Sequence, residues 1–216
     1  MENSSKISQQ LRILTILLVL FLAHTIFSKA QNAVGSVNGA LTVNDMGAAV
    51  YSVTFDAPNG GRMTPKIGLA YSSQSSGYGL AGYGIDVTGI SVITSGGRDM
   101  FHNGRVRGAN YDEDSNFYLD GKRLILESGE YGKDMSEYTV EGDPYTKVLM
   151  TGGFAWYDSD PFFEVTTSDG TVSTYGYGGN SMLRFTQDGT CRIAAWYVSK
   201  AVNRYGESIT YTSMIR

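Results

Sequence analysis

The chain has 216 residues, of which 42% are hydrophobic, and a formal net charge of −4. That length suffices for one domain with a sizeable core, while a mildly acidic balance without a basic cluster excludes the electrostatic footprint of a nucleic-acid binder. Cys191 is the single cysteine, which excludes an internal disulfide.

Residues 1–30 differ in kind from the rest. Lys6 and Arg12 form a basic stretch, residues 13–27 are apolar apart from Thr15, His24 and Thr25, and Ser28-Lys29-Ala30 places small residues at a cleavage site. This is the layout of a secretory signal peptide, and the apolar run is shorter than the ~20 residues of a membrane-spanning helix. No cysteine follows that could be lipidated. The sequence thus predicts export through a cleaved signal peptide, to the secreted or cell-envelope space. Removal takes away three of the 17 basic and one of the 21 acidic residues, leaving a charge of −6.

Residues 31–45 are small and polar without a clear period and read as a flexible leader, with the domain proper covering 46–216. Glycine (27) and tyrosine (15) are abundant, and proline (4) is scarce. With no long helical periodicity, the sequence predicts an all-β chain, an antiparallel meander of hairpins with almost no helix. Residues 48–56 alternate, with Tyr51, Val53 and Phe55 on one face, and predict the opening strand. Asn59-Gly60-Gly61 supplies turn residues. Pro65, which has no N–H to donate, suits the start of the next strand at 66–73, where Ile67, Leu69 and Tyr71 share a face. A glycine–tyrosine loop, 77–84, leads to a third predicted strand at 87–94. Residues 95–116 are charged and contain glycine, so they read as a long loop or loosely held hairpin.

Three Asp-Gly pairs punctuate the second half: Asp120-Gly121, Asp169-Gly170 and Asp188-Gly189, each between β-prone runs. A type I′ turn needs positive φ at both central residues, which makes Asp-Gly a strong hairpin signal. The tail continues with a strand at 193–202, a turn at Asn203-Arg204-Tyr205-Gly206 and an alternating run at 208–212. The sequence stops soon after Ile209 and Tyr211 without a polar cap. An edge left bare is an aggregation liability, which predicts a fragment whose next strands are missing.

Several blocks in this order resemble the N-terminal region of the SpvB family, shared with the B components of insecticidal Tc toxins and related to Rhs/YD-repeat shell proteins. They are Gly47-Ala48-Ala49-Val50-Tyr51-Ser52-Val53, Gly61-Arg62-Met63-Thr64-Pro65, Leu69-Ala70-Tyr71-Ser72-Ser73-Gln74 and Gly79-Leu80-Ala81-Gly82-Tyr83-Gly84. Phe117-Tyr118-Leu119-Asp120-Gly121-Lys122-Arg123-Leu124 and Trp196 through Asn203-Arg204-Tyr205-Gly206 to Tyr211 look like later blocks. The chain departs from the family at Ile85, where an aromatic residue is common, and at Arg98, an arginine that comes late. The resemblance implies a structural segment of a large secreted β-rich shell. The ADP-ribosyltransferase activity linked to the family name belongs to a separate domain with a Glu-x-Glu motif, and this sequence contains no Glu-x-Glu.

Candidates for chemistry are sparse. Gly77-Tyr78-Gly79-Leu80-Ala81-Gly82 spells a dinucleotide fingerprint, but β-branched residues follow where a helix would be needed. Asp112-Glu113-Asp114 starts like a calcium loop, yet Phe117 and Arg123 occupy the positions of the glycine and the bidentate glutamate. Asp158-Ser159-Asp160 reads as a polar turn. His102 is the one histidine outside the signal segment and reads as a surface residue; Cys191 reads as a small buried residue within a strand. Tyr71, Tyr78, Tyr83, Trp156, Tyr157, Tyr175, Tyr177, Trp196 and Tyr197 could stack on sugars, though such residues more often pack in cores.

These readings converge on a non-catalytic β-wall scaffold with no cofactor or metal. Its partners would be downstream domains of the same or a longer polypeptide and other toxin-complex components. The alternative is a stand-alone secreted module that binds a cell-surface glycan or protein, with Trp156 and Tyr157 as its test positions. The structural residues are Gly61, Met63 and Pro65 for the turn, Gly79, Gly82, Tyr83 and Gly84 for the loop, and Asp120 and Gly121 for one hairpin.

Overall fold

The computed structural model describes residues 39–57, 59–111, 115–153, 160–178 and 180–212. They form two antiparallel sheets. The smaller contains β1 (Gly39–Val43), β2 (Ala49–Thr54), β3 (Gly68–Ser72), β4 (Tyr78–Gly79), β5 (Gly82–Tyr83) and β6 (Ile85–Thr88), in the order β1-β2-β3-β6-β5-β4. The larger contains β7 (Val92–Gly96), β8 (Asn116–Leu119), β9 (Lys122–Ser128), β10 (Glu137–Val140), β11 (Asp143–Thr151), β12 (Phe162–Thr166), β13 (Val172–Tyr175), β14 (Met182–Gln187), β15 (Thr190–Val202) and β16 (Ser208–Thr210).

The all-β antiparallel class is as the sequence predicts. Strands β7 to β13 run as a meander, and β15 closes it by pairing with β7 through Ala195–Tyr197 and with β13 through Val198–Val202. The result is a closed barrel of eight strands, with β14 and β16 attached to β15. Closure removes the bare edges that an open meander would leave.

Alternation along the strands fills the barrel. Ile93, Phe117, Leu124, Tyr138, Val140, Val148, Met150, Phe163, Val165, Tyr175, Trp196 and Val198 are all buried, and the residues between them are largely exposed or half-buried. Each large side chain so buried contributes roughly 1.5–3 kcal/mol. Phe117 meets Tyr138, Phe163 and Trp196 edge to face and stacks on Tyr131. None of the clustered core residues comes from the smaller sheet.

Turn chemistry explains the hairpins and corrects one of them. Asp120 and Gly121 have φ of 48° and 81°, and Asp188 and Gly189 have 51° and 74°, so both pairs adopt the doubly left-handed turn. At Asp169-Gly170 only Gly170 is left-handed, at φ 82°. There Gly170 N–H donates to Thr167 O (2.9 Å) and Thr167 N–H to Thr171 O (3.0 Å), giving a longer loop. The Asp169 carboxylate stabilises that shape by accepting from Thr167 Oγ1 and Thr171 N–H.

Three further readings change. A strand, β1, lies at Gly39–Val43, within the segment read as a leader, because Leu41 and Val43 alternate and pair with β2. The single strand expected at 87–94 is two strands, β6 and β7, in different sheets. The break falls at Gly89, whose φ is +83° and where a Cβ would collide with the Lys66 carbonyl oxygen. Beyond it Asp120 anchors the crossing: its carboxylate accepts from Val92 N–H (2.9 Å) and Ser91 Oγ (2.6 Å), and Ser91 Oγ also lies 2.8 Å from Tyr175 Oη. Burial pushes the Tyr175 phenol up to about 12, although the Ser91 contact opposes the shift. Finally, the hairpin of β10 and β11 turns at Glu141-Gly142, a pair without the Asp-Gly signature.

Among the described residues there is one short α-helix, α1 (Met100–Asn103), in the β7–β8 connection. Asp99 caps it by accepting from His102 N–H (2.7 Å), and Gly104 closes it at φ 65°. His102 then bridges two carboxylates: Nδ1 lies 2.8 Å from Asp99 and Nε2 2.9 Å from Glu141 at the β10–β11 turn. Arg123 of β9 adds bonds to Asn103 and Asp99. This ties the β7–β8 connection to the neighbouring hairpins.

Two predictions follow from the crossing and the histidine bridge. Gly89→Ala and Gly121→Ala impose similar strain in φ, but only Gly89 faces backbone. Urea unfolding is expected to show a loss of about 1 kcal/mol for Gly121→Ala and about 3 kcal/mol or more for Gly89→Ala; equal losses would contradict the close approach. The bonds to Glu141 and then Asp99 raise the pKa of His102 above 6.5. Its stabilisation is therefore complete below pH 6.5 and is lost as pH rises through the raised value. Asp99, lowered first by His102 N–H and then by its ring, contributes above pH 3.8 and loses this as pH falls below that value. The melting temperature of the native chain should fall toward that of His102→Gln as pH is raised above 6.5; a pH-independent gap would refute the bridge.

Candidate functional site

The turn that carries the family-like motif forms one wall of a cleft. Gly61, at φ +69°, begins a 3-10 turn over Gly61–Met63. Asn59 Oδ1 accepts from Gly61 N–H and Thr64 Oγ1 from Gly60 N–H, both at 3.0 Å, while Thr64 Oγ1 donates to Gly61 O. Thr64 is extended, as a residue before proline prefers, and Pro65 leads the chain toward β3. Met63 and Pro65 line the cleft.

The opposite wall comes from the β15–β16 and β12–β13 turns. Asn203 Oδ1 accepts from Tyr205 N–H and Glu207 N–H, and its Nδ2 donates to Glu207, which fixes the 203–207 turn. Tyr205 is thereby presented outward. The Arg62 guanidinium lies over its ring at 4.1 Å from the centroid, and Arg204 at 4.9 Å, with Arg204 Nη2 donating to Tyr205 Oη at 2.9 Å. Lys66, Asp169, Thr171, Ile209 and Tyr211 complete a cleft of about 460 Å³. The hydrogen bonds from Thr167 and Thr171 hold the Asp169 carboxyl below its ordinary value. Burial pushes the Tyr211 phenol up.

The glycine–tyrosine loop lies in the small sheet, apart from this cleft's lining. A Cβ at Gly79 would strike the Ile85 carbonyl; Gly82 has φ +135° with open space around it. Gly84, at φ +70°, packs against the Tyr71 ring and donates to Gly77 O at 2.9 Å. Tyr83 is exposed. The loop runs into strand β6, so it offers no helix N-terminus to a pyrophosphate. Asp120 and Gly121 sit on the barrel, where Asp120 has the anchoring role described above, a role its turn signature alone does not reveal.

Other candidates separate clearly. Trp196 and Tyr175 are buried in the barrel, whereas Tyr71, Tyr83 and Tyr177 are exposed. Cys191 is exposed rather than buried, because it lies two residues past the Asp188-Gly189 turn, beyond the reach of the core. Asp112–Asp114, Trp156, Tyr157, Asp158 and Ser159 lie outside the described residues, as do the predicted signal segment and residues 31–38. Among the described residues, no group of three or more His, Cys, Asp or Glu side chains could hold a metal ion, and no helix is long and apolar enough to cross a membrane. Sequence reasoning marked Arg62 and Tyr205 only as parts of turns; a basic residue in each of two glycine-bearing turns was the available signal.

Comparison with known proteins places the fold. The chain superposes on the solved N-terminal domain of effector protein SpvB from Salmonella typhimurium strain LT2 with a TM-score of 0.52 and 20% identity. The match covers 74% of this chain and 53% of that one, so the chain spans about half the length of the solved domain. No curated protein matches the sequence. The family model for the Salmonella virulence plasmid 65kDa B protein, SpvB, matches residues 43–214, which include nearly every element described above; the chain belongs to the SpvB family.

Proposed function

We propose that this chain is a non-catalytic structural segment of an exported SpvB-family protein, a piece of β wall that helps enclose or present a toxin domain. One observation carries the reading. The small sheet aligns Leu41, Tyr51, Tyr71 and Ile85 across β1, β2, β3 and β6, so these side chains share one face. On that face Leu41 and Val43 are each 71% exposed, Tyr51 41% and Tyr71 42%. A barrel with its own core needs no such surface, and an apolar sheet face that remains in water forgoes about 1–2 kcal/mol for each half-buried side chain. Contiguous exposed apolar surface of this kind marks a place of contact.

The occupants on this reading are downstream domains of a longer polypeptide or other components of a toxin complex. The nucleotide geometry is missing from the one loop that spelled it, and His102 is engaged by two carboxylates on both ring nitrogens, which favours structure over chemistry. Secretion through the predicted signal segment belongs to the same proposal.

Hydroxyl-radical footprinting tests it on two samples: the native product recovered from culture supernatant and the recombinant 216-residue chain. Oxidation of Tyr51 and Tyr71 is expected to be severalfold slower in the native product, with Tyr177 unchanged as an internal reference. Equal rates at Tyr51 and Tyr71 would refute the wall.

A further inference from the structure

We propose that the cleft between the 61–66 turn and the 203–207 turn is a binding site for a ligand that presents an oxyanion, a carboxylate or a phosphate group. The polar groups at the cleft divide into partly engaged acceptors and cations without a carboxylate partner. The Asp169 carboxylate takes bonds from Thr167 and Thr171, Asn203 Oδ1 takes two backbone N–H groups, and Thr64 Oγ1 takes Gly60 N–H while giving its own proton to Gly61 O. Glu207, beside Gly61, accepts from Asn203 Nδ2. The cations are not neutralised: Arg62, Lys66 and Arg204 form no ion pair among the described residues, although Arg204 Nη2 donates to Tyr205 Oη. Three cations elsewhere do pair, Lys147 with Glu127, Arg184 with Asp160 and Arg123 with Asp99.

Three cations, Arg62, Lys66 and Arg204, face one carboxylate, Asp169, in the cleft lining, and that balance favours an anionic ligand. Two guanidinium groups on one tyrosine ring repel each other weakly through water and gain from the ring's negative face. That stacking also fixes the forks before a ligand arrives, so less side-chain entropy is lost on binding. A charged oxygen beside either fork would be held by charge-assisted bonds. The cleft volume of about 460 Å³ falls in the range of small-ligand sites, and Met63, Pro65 and Ile209 supply an apolar floor for the body of the ligand. This site lies apart from the exposed face of the small sheet and does not depend on the scaffold reading.

Isothermal titration of the full chain with sodium phosphate, sodium glucuronate and neutral glucose, at constant ionic strength, provides the test. Saturable binding of phosphate or glucuronate is expected, with none for glucose. The double variant Arg62→Ala/Arg204→Ala should bind at least about tenfold more weakly, and Arg105→Ala, outside the cleft, should bind as the native chain does. Preference for phosphate assigns a phosphate-bearing ligand; preference for glucuronate assigns a carboxylate source such as an acidic sugar. Circular dichroism checks the fold of the double variant, and Arg204→Glu, at an exposed position, serves if it is disturbed. Absence of saturable binding by both anions, equal binding of glucose, or unchanged affinity in the arginine variants would overturn the proposal.

Discussion

The structure depends on the burial of Trp196 at the middle of β15. Its indole N–H donates to Pro161 O at 2.7 Å, which satisfies the one polar group on a fully buried ring. Phe163 and Phe117 meet it edge to face at 5.1 and 5.7 Å, and Gly176 approaches so closely that a Cβ would overlap the indole. The strand carrying this residue pairs with β7, β13, β14 and β16. Anchoring one side chain therefore fixes the register of the strand that closes the barrel, and with it the pairing between chain segments far apart in sequence.

The small sheet is held differently. Its strands are short, its residues are absent from the clustered core, and its link to the barrel runs through the crossing at Gly89 and the stacking of Arg62 on Tyr205. Backbone pairing gives it shape, while its apolar face contributes little until something covers it. A self-sufficient barrel that carries a sheet in need of a partner is the physical content of the scaffold reading. The basic cleft lies where the two parts meet, so a ligand there would also bear on how firmly the small sheet is held.

Local chemistry was legible in the sequence, and long-range closure was not. Alternation at Tyr51 and Val53 and at Leu69 and Tyr71 located β2 and β3, and Asp120-Gly121 and Asp188-Gly189 located two hairpins, because each signal depends on a few adjacent residues. Asp169-Gly170 showed the limit of that logic: the same dipeptide forms a longer loop when Thr167 and Thr171 capture the aspartate. Glu141-Gly142 went unread because glutamate is a weaker turn former, although Tyr138 and Val140 alternate before it. The split of 87–94 depended on a collision between Gly89 and Lys66 that only the fold reveals. Cys191 has the parity of a core residue, yet its distance from the barrel interior decides its exposure. Nothing local announces that β15 meets both β7 and β13, nor that Arg62 comes to rest on Tyr205.

Native-state hydrogen exchange on the 216-residue chain tests the central claim most directly, since it reads the opening free energy of each strand separately. If the barrel is self-sufficient and the small sheet is not, the amides of Ile93, Phe117, Trp196 and Val198 will exchange last, through global unfolding. Those of β2 and β3, such as Val53 and Leu69, will exchange orders of magnitude faster through local opening. Equal protection across both sheets would contradict the account, because it would mean that the small sheet is fully supported by this chain alone.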